Sequence, residues 1–413
     1  MIESLPLVFV LTGLALYTVL AGADFGAGFW QLFAGRGSHA ERVREQAHHS
    51  MAPVWEANHV WLIFVLTVLW TAYPRAFGSI ASTLAVPLFI AVIGIVFRGA
   101  AYALRAGAAG PREAALIDTV FSLSSILTPF ALGSAIGGIA TDRVPVGNAA
   151  GHLFSSWLNP TSVLVGVLAV AVSAYLAAVY LAADSARDHE RELELDFRLR
   201  ALAAGVGAGA IAIAGIFVVD ADSHRLFHSL LAGRALPAVI VSALAGLATL
   251  ALVHGRRYEP ARFGAALAVA AIVAGWALAR WPSILSGLTV HEAAAGHDTL
   301  VALIVAVLAG GVILFPALGL LFGLALTGRF AAAERTPAAP EAPRIVGVDR
   351  TRLFTRAAIA CLVAGFGLLN VAEAEWAHAV GVACLFGFVV LGFRALILRV
   401  LAERAPAVLE TER

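Results

Sequence analysis

The sequence predicts an all-α integral membrane protein, polytopic, with about eleven spanning helices, its N-terminus outside and its C-terminus inside. Three observations predict it. Hydrophobic residues make up 60% of the chain and charged residues only 13%, with a mean hydropathy of +0.87. Soluble domains are about 45–50% apolar and about 25% charged. Apolar runs long enough to cross a bilayer core of about 30 Å recur along the chain. Cationic residues alternate between sparse and dense in the segments joining those runs.

Backbone groups in lipid must bond within their own segment, so each long run reads as a helix. In order, the runs fall at 5–34, 52–73, 76–104, 117–140, 160–183, 201–219, 236–254, 263–280, 299–325, 353–372 and 377–399. The first follows an acidic flank, MIES, and is long; it reads as an uncleaved helix although 21-AGA-23 mimics a signal-peptidase site. All 28 cationic side chains are arginine. With the N-terminus outside, 22 of them fall inside, Arg75, Arg143, Arg225, Arg234 and Arg280 fall outside, and Arg98 lies within the third run. That asymmetry sets the orientation and requires an odd number of spans.

Between runs, 184-DSARDHERELELDFRLR-200 carries both charge signs and reads as an amphipathic or helix-extending connector. The Pro/Ala-rich stretch 330–352 reads as a flexible inside linker. It divides a nine-helix domain, 1–329, from a two-helix hairpin with a short tail, 353–413. Cys361 and Cys384 lie in apolar runs and suggest neither a disulfide nor a metal site.

Ionisable residues inside a span are costly and mark candidate sites. Asp24, in 22-GADFGAG-28, follows a long uncharged run, and its flanking glycines permit close helix approach; the plainer reading is a carboxylate reaching interfacial water. Glu56 and His59, three apart on one helix face, sit among Trp55, Asn58 and Trp61. The tryptophans read as an interfacial belt. A partly buried carboxylate there suits proton handling, and His59 either joins it or pairs with Glu56. Arg98 either snorkels to the interface or pairs with a buried carboxylate or an anionic ligand. His291, Glu292, His297 and Asp298 form a polar outer segment more simply than a metal site.

Two Glu-x-x-His pairs, Glu56/His59 and Glu375/His378, have the spacing of di-metal bundles. The arginine pattern puts them on opposite sides of the membrane, so they cannot share a metal. His224 and His228 offer too few ligands to bind one.

The combination of 22-GADFGAG-28, 52-APVWEANHVWL-62 and 97-FR-98 resembles subunit II of the cytochrome bd-type quinol oxidases. The segment 281-WPSILSGLTVHEAAAGHDTLVALIV-305 is similar to that family's approach to its ninth helix. The resemblance implies two four-helix bundles plus a peripheral helix, and a chain that ligates no haem. It implies a larger partner, subunit I, carrying haem b and haem d, with quinol oxidised, dioxygen reduced to water and protons drawn from the cytoplasm. Subunit II would support assembly and supply a proton path; in some members it holds a structural quinone. The expected setting is a prokaryotic plasma membrane, without nucleic acid.

By that resemblance Glu56 and Asp24 match the family's proton-path carboxylates, and Trp55, Asn58, Trp61 and Arg98 match its motif. Three positions depart from it. Glu56 stands where the family has Asp, Ala57 where it has Gly, and His59 where it has Glu or Gln, so His59 either adds a titratable group to the path or weakens it. The two helices beyond the usual nine would cover the surface where related complexes carry a small accessory single-helix subunit. Two other readings stay open: a secondary transporter with helices broken at Pro87, Pro129 and Pro316, and a scaffold that kept the fold and lost the chemistry.

Overall fold

Helix starts follow proline and cap chemistry along the chain. The computed structural model describes residues 2–35, 37–51, 55–105, 110–326, 348–371 and 374–404. After a 3₁₀ turn at Ile2–Ser4 come α1 (Leu5–Leu32), α2 (Ser38–Met51), α3 (Trp55–Ala72), α4 (Pro74–Thr83), α5 (Ala85–Arg105), α6 (Pro111–Ala140) and α7 (Pro160–Arg187). Then follow α8 (Arg191–Asp222), α9 (His224–Leu231), α10 (Leu236–His254) and α11 (Tyr258–Arg280). A small hairpin, β1 (Ser283–Leu285) with β2 (Leu288–Thr289), leads to α12 (Val290–Ala293) and α13 (His297–Leu326). Last come α14 (Val348–Val371) and α15 (Glu375–Arg404).

Helices α1, α4, α6, α7 and α10 each carry proline in the first turn, where a missing N–H costs nothing and φ is already helical. At α7 the Asn159 side chain also accepts from the Ser162 amide at 2.9 Å, satisfying a free N-terminal donor. Among the described residues, eight helices are long and apolar enough to cross a membrane, and shorter apolar helices lie at Asn58–Ala72, Leu353–Gly365 and Ala379–Gly392. Large apolar side chains such as Phe217, Phe263 and Ile313 face outward, as a lipid-facing surface requires.

The structure corrects several expectations. The run 76–104 is not one helix: it breaks at Leu84, between α4 and α5. Pro87 has no N–H for the Thr83 carbonyl, so the ladder is interrupted there. By contrast, α6 and α13 continue through Pro129 and Pro316. The polar joining segments hold helices of their own, α2 and α9, and the otherwise helical chain includes the two-stranded hairpin. The connector 184–200, by contrast, extends α7 and α8 as expected, on either side of a tight turn at His189, whose φ is +61°.

The chain forms two compact units, Met1–Phe322 and Gly323–Arg413. In the first, α1 is the central helix and packs on α3, α6, α7 and α11. One core gathers around α7, where Leu176, Val179 and Leu181 meet Phe197 of α8, Val253 of α10 and Ala265 of α11. A second joins Tyr73, Leu84 and Trp157 to Leu285 and Leu288 of the hairpin and to Leu300. Small residues set the spacing: a Cβ at Gly26 of α1 would collide with the Ser173 backbone of α7, so close approach here requires glycine.

Polar ties lie near the helix ends. Arg143 grips Asp222 with two bonds of 3.0 and 2.7 Å, and Asp222 also accepts from Thr161 Oγ1 at 2.6 Å. Arg280 donates to Asp142 at 2.5 Å. The segment 289–300 is organised by a capping box, in which Thr289 and Glu292 each bond the other's backbone. Bonds from the Thr289 amide and hydroxyl hold the Glu292 carboxyl below the usual carboxylate range. In the second unit, α14 and α15 pack together, with Gly365 against Leu385 and Gly387 against Cys361.

Two outcomes follow from this packing. Gly26→Val should destabilise the first unit by at least about 1–3 kcal/mol, seen as a lowered melting temperature in detergent. A chain ending at residue 329 should still insert as a protease-resistant core.

Candidate functional site

The buried polar node begins with Asp24, whose burial follows from its place on the face of α1 that meets neighbouring helices. Gly22, Ala23, Phe25, Gly26, Ala27 and Gly28 around it are all buried. Arg98 of α5 is equally buried; both side chains are 1% exposed. The two form an ion pair through Arg98 Nη2 and Asp24 Oδ1, and the same nitrogen donates to the Asp24 carbonyl at 3.1 Å. Arg98 Nη1 donates to Ser125 Oγ of α6, while that hydroxyl donates to the Phe121 carbonyl at 2.6 Å. The guanidinium lies 4.1 Å from the Phe121 ring centroid and 5.3 Å from that of Phe25.

This arrangement answers a physical demand. Removing two charges from water costs several kcal/mol per ion, recovered only with good geometry and further hydrogen bonds. Arg98 receives a carboxylate, a carbonyl, a hydroxyl and two aromatic faces. The site demands small neighbours, because a Cβ at Gly28 would run into Ser125 and a Cβ at Gly94 into Thr128. The snorkelling alternative for Arg98 is therefore overturned, and so is the interfacial-water reading of Asp24.

The fourth helix of the site is α3. Asn58 is fully buried and donates from Nδ2 to the Leu20 carbonyl of α1 at 3.3 Å. It begins a buried stripe, Asn58, Trp61, Val65 and Val68, at the i, i+3, i+7, i+10 spacing of one helix face. Trp61 is accordingly a core residue, packed with Tyr17, Ala21 and Phe25, and not part of an interfacial belt. His59 is half-buried, with its ring edge-on to Tyr17 at 6.4 Å. Trp55 and Glu56 lie in the first turn of α3; their side chains, with those of Glu375 and His378, fall outside the described residues.

The structure thus unites Asp24, Asn58, His59 and Arg98 and adds three residues that sequence reasoning passed over. Ser125 and Phe121 gave no signal, being ordinary members of an apolar helix. Tyr17 had a weak one, as a lone tyrosine two turns before Asp24 on α1. Beside the node, between α1, α3, α6, α7 and α11, lies a cavity of about 330 Å³. Its wall is almost wholly apolar, including Leu14, Leu66, Leu132, Val172 and Trp276, with Tyr17 among its few polar groups.

Fold and site together define a multi-pass helical membrane protein with a charged, hydrogen-bonding node sealed inside its bundle. The model of the family described as cytochrome bd terminal oxidase subunit II matches residues 2–325. The chain belongs to that family.

Among relatives, the Bacillus subtilis cytochrome bd ubiquinol oxidase subunit 2 is 29% identical over 152 residues, 36% of this chain and 43% of the relative. The Escherichia coli K12 cytochrome bd-I ubiquinol oxidase subunit 2 is 28% identical over 172 residues, 40% of this chain and 44% of the relative. The matched stretches thus span less than half of either relative. In fold, the chain is similar to a chain of the bd oxidase from Geobacillus thermodenitrificans. That similarity has a TM-score of 0.62 and 23% identity, over 79% of this chain and 99% of that one.

Ser125→Ala removes the acceptor of Arg98 Nη1 without adding bulk. It should lower stability by about 1–3 kcal/mol, the cost of an unpaired buried donor, measured as a drop in detergent melting temperature.

Proposed function

We propose that this chain is the non-haem subunit of a quinol oxidase in a prokaryotic plasma membrane, supporting a larger haem-bearing subunit I and contributing a proton path to it. The observation that carries this reading is the junction of α1, α3 and α5, where the residues of all three family motifs meet at one buried node. The partner would hold haem b and haem d, oxidise quinol and reduce dioxygen to water. No residue of this chain would touch the reacting oxygen.

The path would begin at Glu56 and pass to Asp24, with His59 beside it. A relay needs groups that hold and release protons while partly shielded from water. Asp24 suits this because Arg98 bonds one of its two oxygens, Oδ1. The arginine distribution supports an N-out, C-in orientation with eleven spans, placing Glu56 and Asp24 near the cytoplasmic side, from which the protons would come. The packing partners of α1 and α7 suit two four-helix bundles with α13 at the periphery, and the segment 330–352 would link this nine-helix domain to the α14–α15 hairpin. That hairpin would cover the place of a small accessory subunit.

Among the described residues, the cavity wall is built almost wholly of aliphatic and aromatic side chains. Its apolar lining does fit the tail of a structural quinone, held along Leu14, Leu66 and Leu132, with Tyr17 and Arg280 as polar contacts.

Affinity isolation from native membranes should bring down a second large membrane protein with a haem signature in the reduced-minus-oxidised spectrum; a colourless, solitary chain would overturn the proposal. Glu56→Gln should slow oxygen consumption several-fold while that haem spectrum is retained, and unchanged turnover would remove Glu56 from the path.

A further inference from the structure

Arginine and a carboxylate pair most strongly as a fork, two parallel N–H···O bonds that occupy both carboxylate oxygens. The buried pair at the centre of this bundle is not a fork. Arg98 Nη2 donates to Asp24 Oδ1 and to the Asp24 backbone carbonyl, both on α1. Arg98 Nη1, the nitrogen that would complete the fork, donates instead to Ser125 Oγ on α6. Asn58 also hydrogen-bonds the carboxylate, but through a neutral amide, which adds no positive charge to it.

Helix α6 offers Nη1 a complete seat. Ser125 is 1% exposed, and its hydroxyl proton is committed to the Phe121 carbonyl at 2.6 Å. A serine that donates to the carbonyl four residues back has only lone pairs left to offer, so Oγ meets Arg98 as an acceptor. Phe121 precedes Ser125 by four residues and shares its face of α6. Its ring centroid lies 4.1 Å from the guanidinium carbon. Gly28 of α1 keeps the seat open, because a Cβ there would run into Ser125 and lie 3.2 Å from Arg98 Nη1. Ser125 is uncharged, so it draws Nη1 aside without displacing Asp24, the one carboxylate paired with Arg98 among the described residues.

We propose that Ser125 is a positioning residue for proton transfer at Asp24: by holding Arg98 Nη1 on α6, it keeps the Arg98–Asp24 pair from closing into a fork and keeps the second carboxylate oxygen free of the guanidinium. The role in turnover rests on the proton-path reading above; the one-oxygen pairing does not. An arriving proton forms an O–H bond at the Asp24 carboxylate and breaks that same bond on leaving. Arg98 and Ser125 exchange no proton with it. Without the Ser125 hydroxyl, Nη1 loses its acceptor, and the guanidinium leaves its seat on Phe121 and closes on both Asp24 oxygens. A carboxylate held in that way stays an anion and passes protons slowly.

The test uses the intact complex with Ser125→Ala, which removes the hydroxyl, and Ser125→Thr, which restores it. Rates are taken per haem, so that lost assembly is not counted as lost turnover. Ser125→Ala should consume oxygen several-fold more slowly, with a larger solvent deuterium isotope effect and an unchanged KM for quinol. Ser125→Thr should recover both the rate and the isotope effect. Ser125→Ala at wild-type rate and isotope effect, while Glu56→Gln is slow, overturns the proposal and leaves the path standing. So does Ser125→Thr as slow as Ser125→Ala, since the hydroxyl would then not be what matters. If Ser125→Ala and Glu56→Gln both turn over like wild type, the proton-path reading falls, and the Ser125 role with it. An experimental map of the wild-type complex decides the geometry even if Ser125→Ala fails to assemble. Nη1 on Ser125 is expected there, and Arg98 forked onto both oxygens of Asp24 overturns the proposal.

Discussion

A guanidinium sealed inside a membrane bundle is the constraint on which the first unit is organised. A buried guanidinium left without partners is strongly destabilising, so α5 can pack only where the partners of Arg98 are supplied. Asp24 of α1 supplies the counter-charge and Ser125 of α6 a hydroxyl, while Phe25 and Phe121 cover the flat faces. These contacts fix the register of three helices at once. Lipid gives little hydrophobic drive for helices to associate, so such polar contacts, with close approach at Gly26, Gly28 and Gly94, specify which faces meet.

The same geometry is compatible with the proposed relay. A carboxylate gripped at both oxygens would be locked as an anion. Here Arg98 bonds one of the two oxygens, Oδ1. Asp24 thereby has a fixed position with one carboxylate oxygen not bonded by Arg98, which suits the proposed relay. His59 adds a titratable ring from α3, and the apolar cavity beside Tyr17 bounds the polar region on its far side.

Much of this was legible in the sequence because the bilayer enforces simple rules. Apolar runs had to be helices, and among the described residues each run but 76–104 falls mainly on one helix. The run 76–104 misled because hydropathy does not register a ladder broken near Pro87. Helices α2 and α9 escaped notice because neither is needed to cross lipid, so composition gave no reason to expect them. At the site, Asp24, Asn58, His59 and Arg98 stood out as polar groups in apolar surroundings. Their pairing did not, since it depends on α5 lying against α1, a contact between residues 74 positions apart. Trp61 was misread because tryptophan near a helix start suits either an interface or a core; the stripe through Val65 and Val68 decides for the core.

The measurement that tests this account most directly is a double-mutant cycle on the pair, using Asp24→Asn, Arg98→Gln and both together in the full complex. Assembly and melting temperature would be read alongside oxygen consumption. Each single variant should destabilise by about 3–5 kcal/mol, the cost of stranding one buried partner. The double variant should recover most of that stability yet remain slow in turnover. Additive losses of stability, with the double variant the least stable of the three, would contradict the claim that the Asp24–Arg98 pair holds the bundle together.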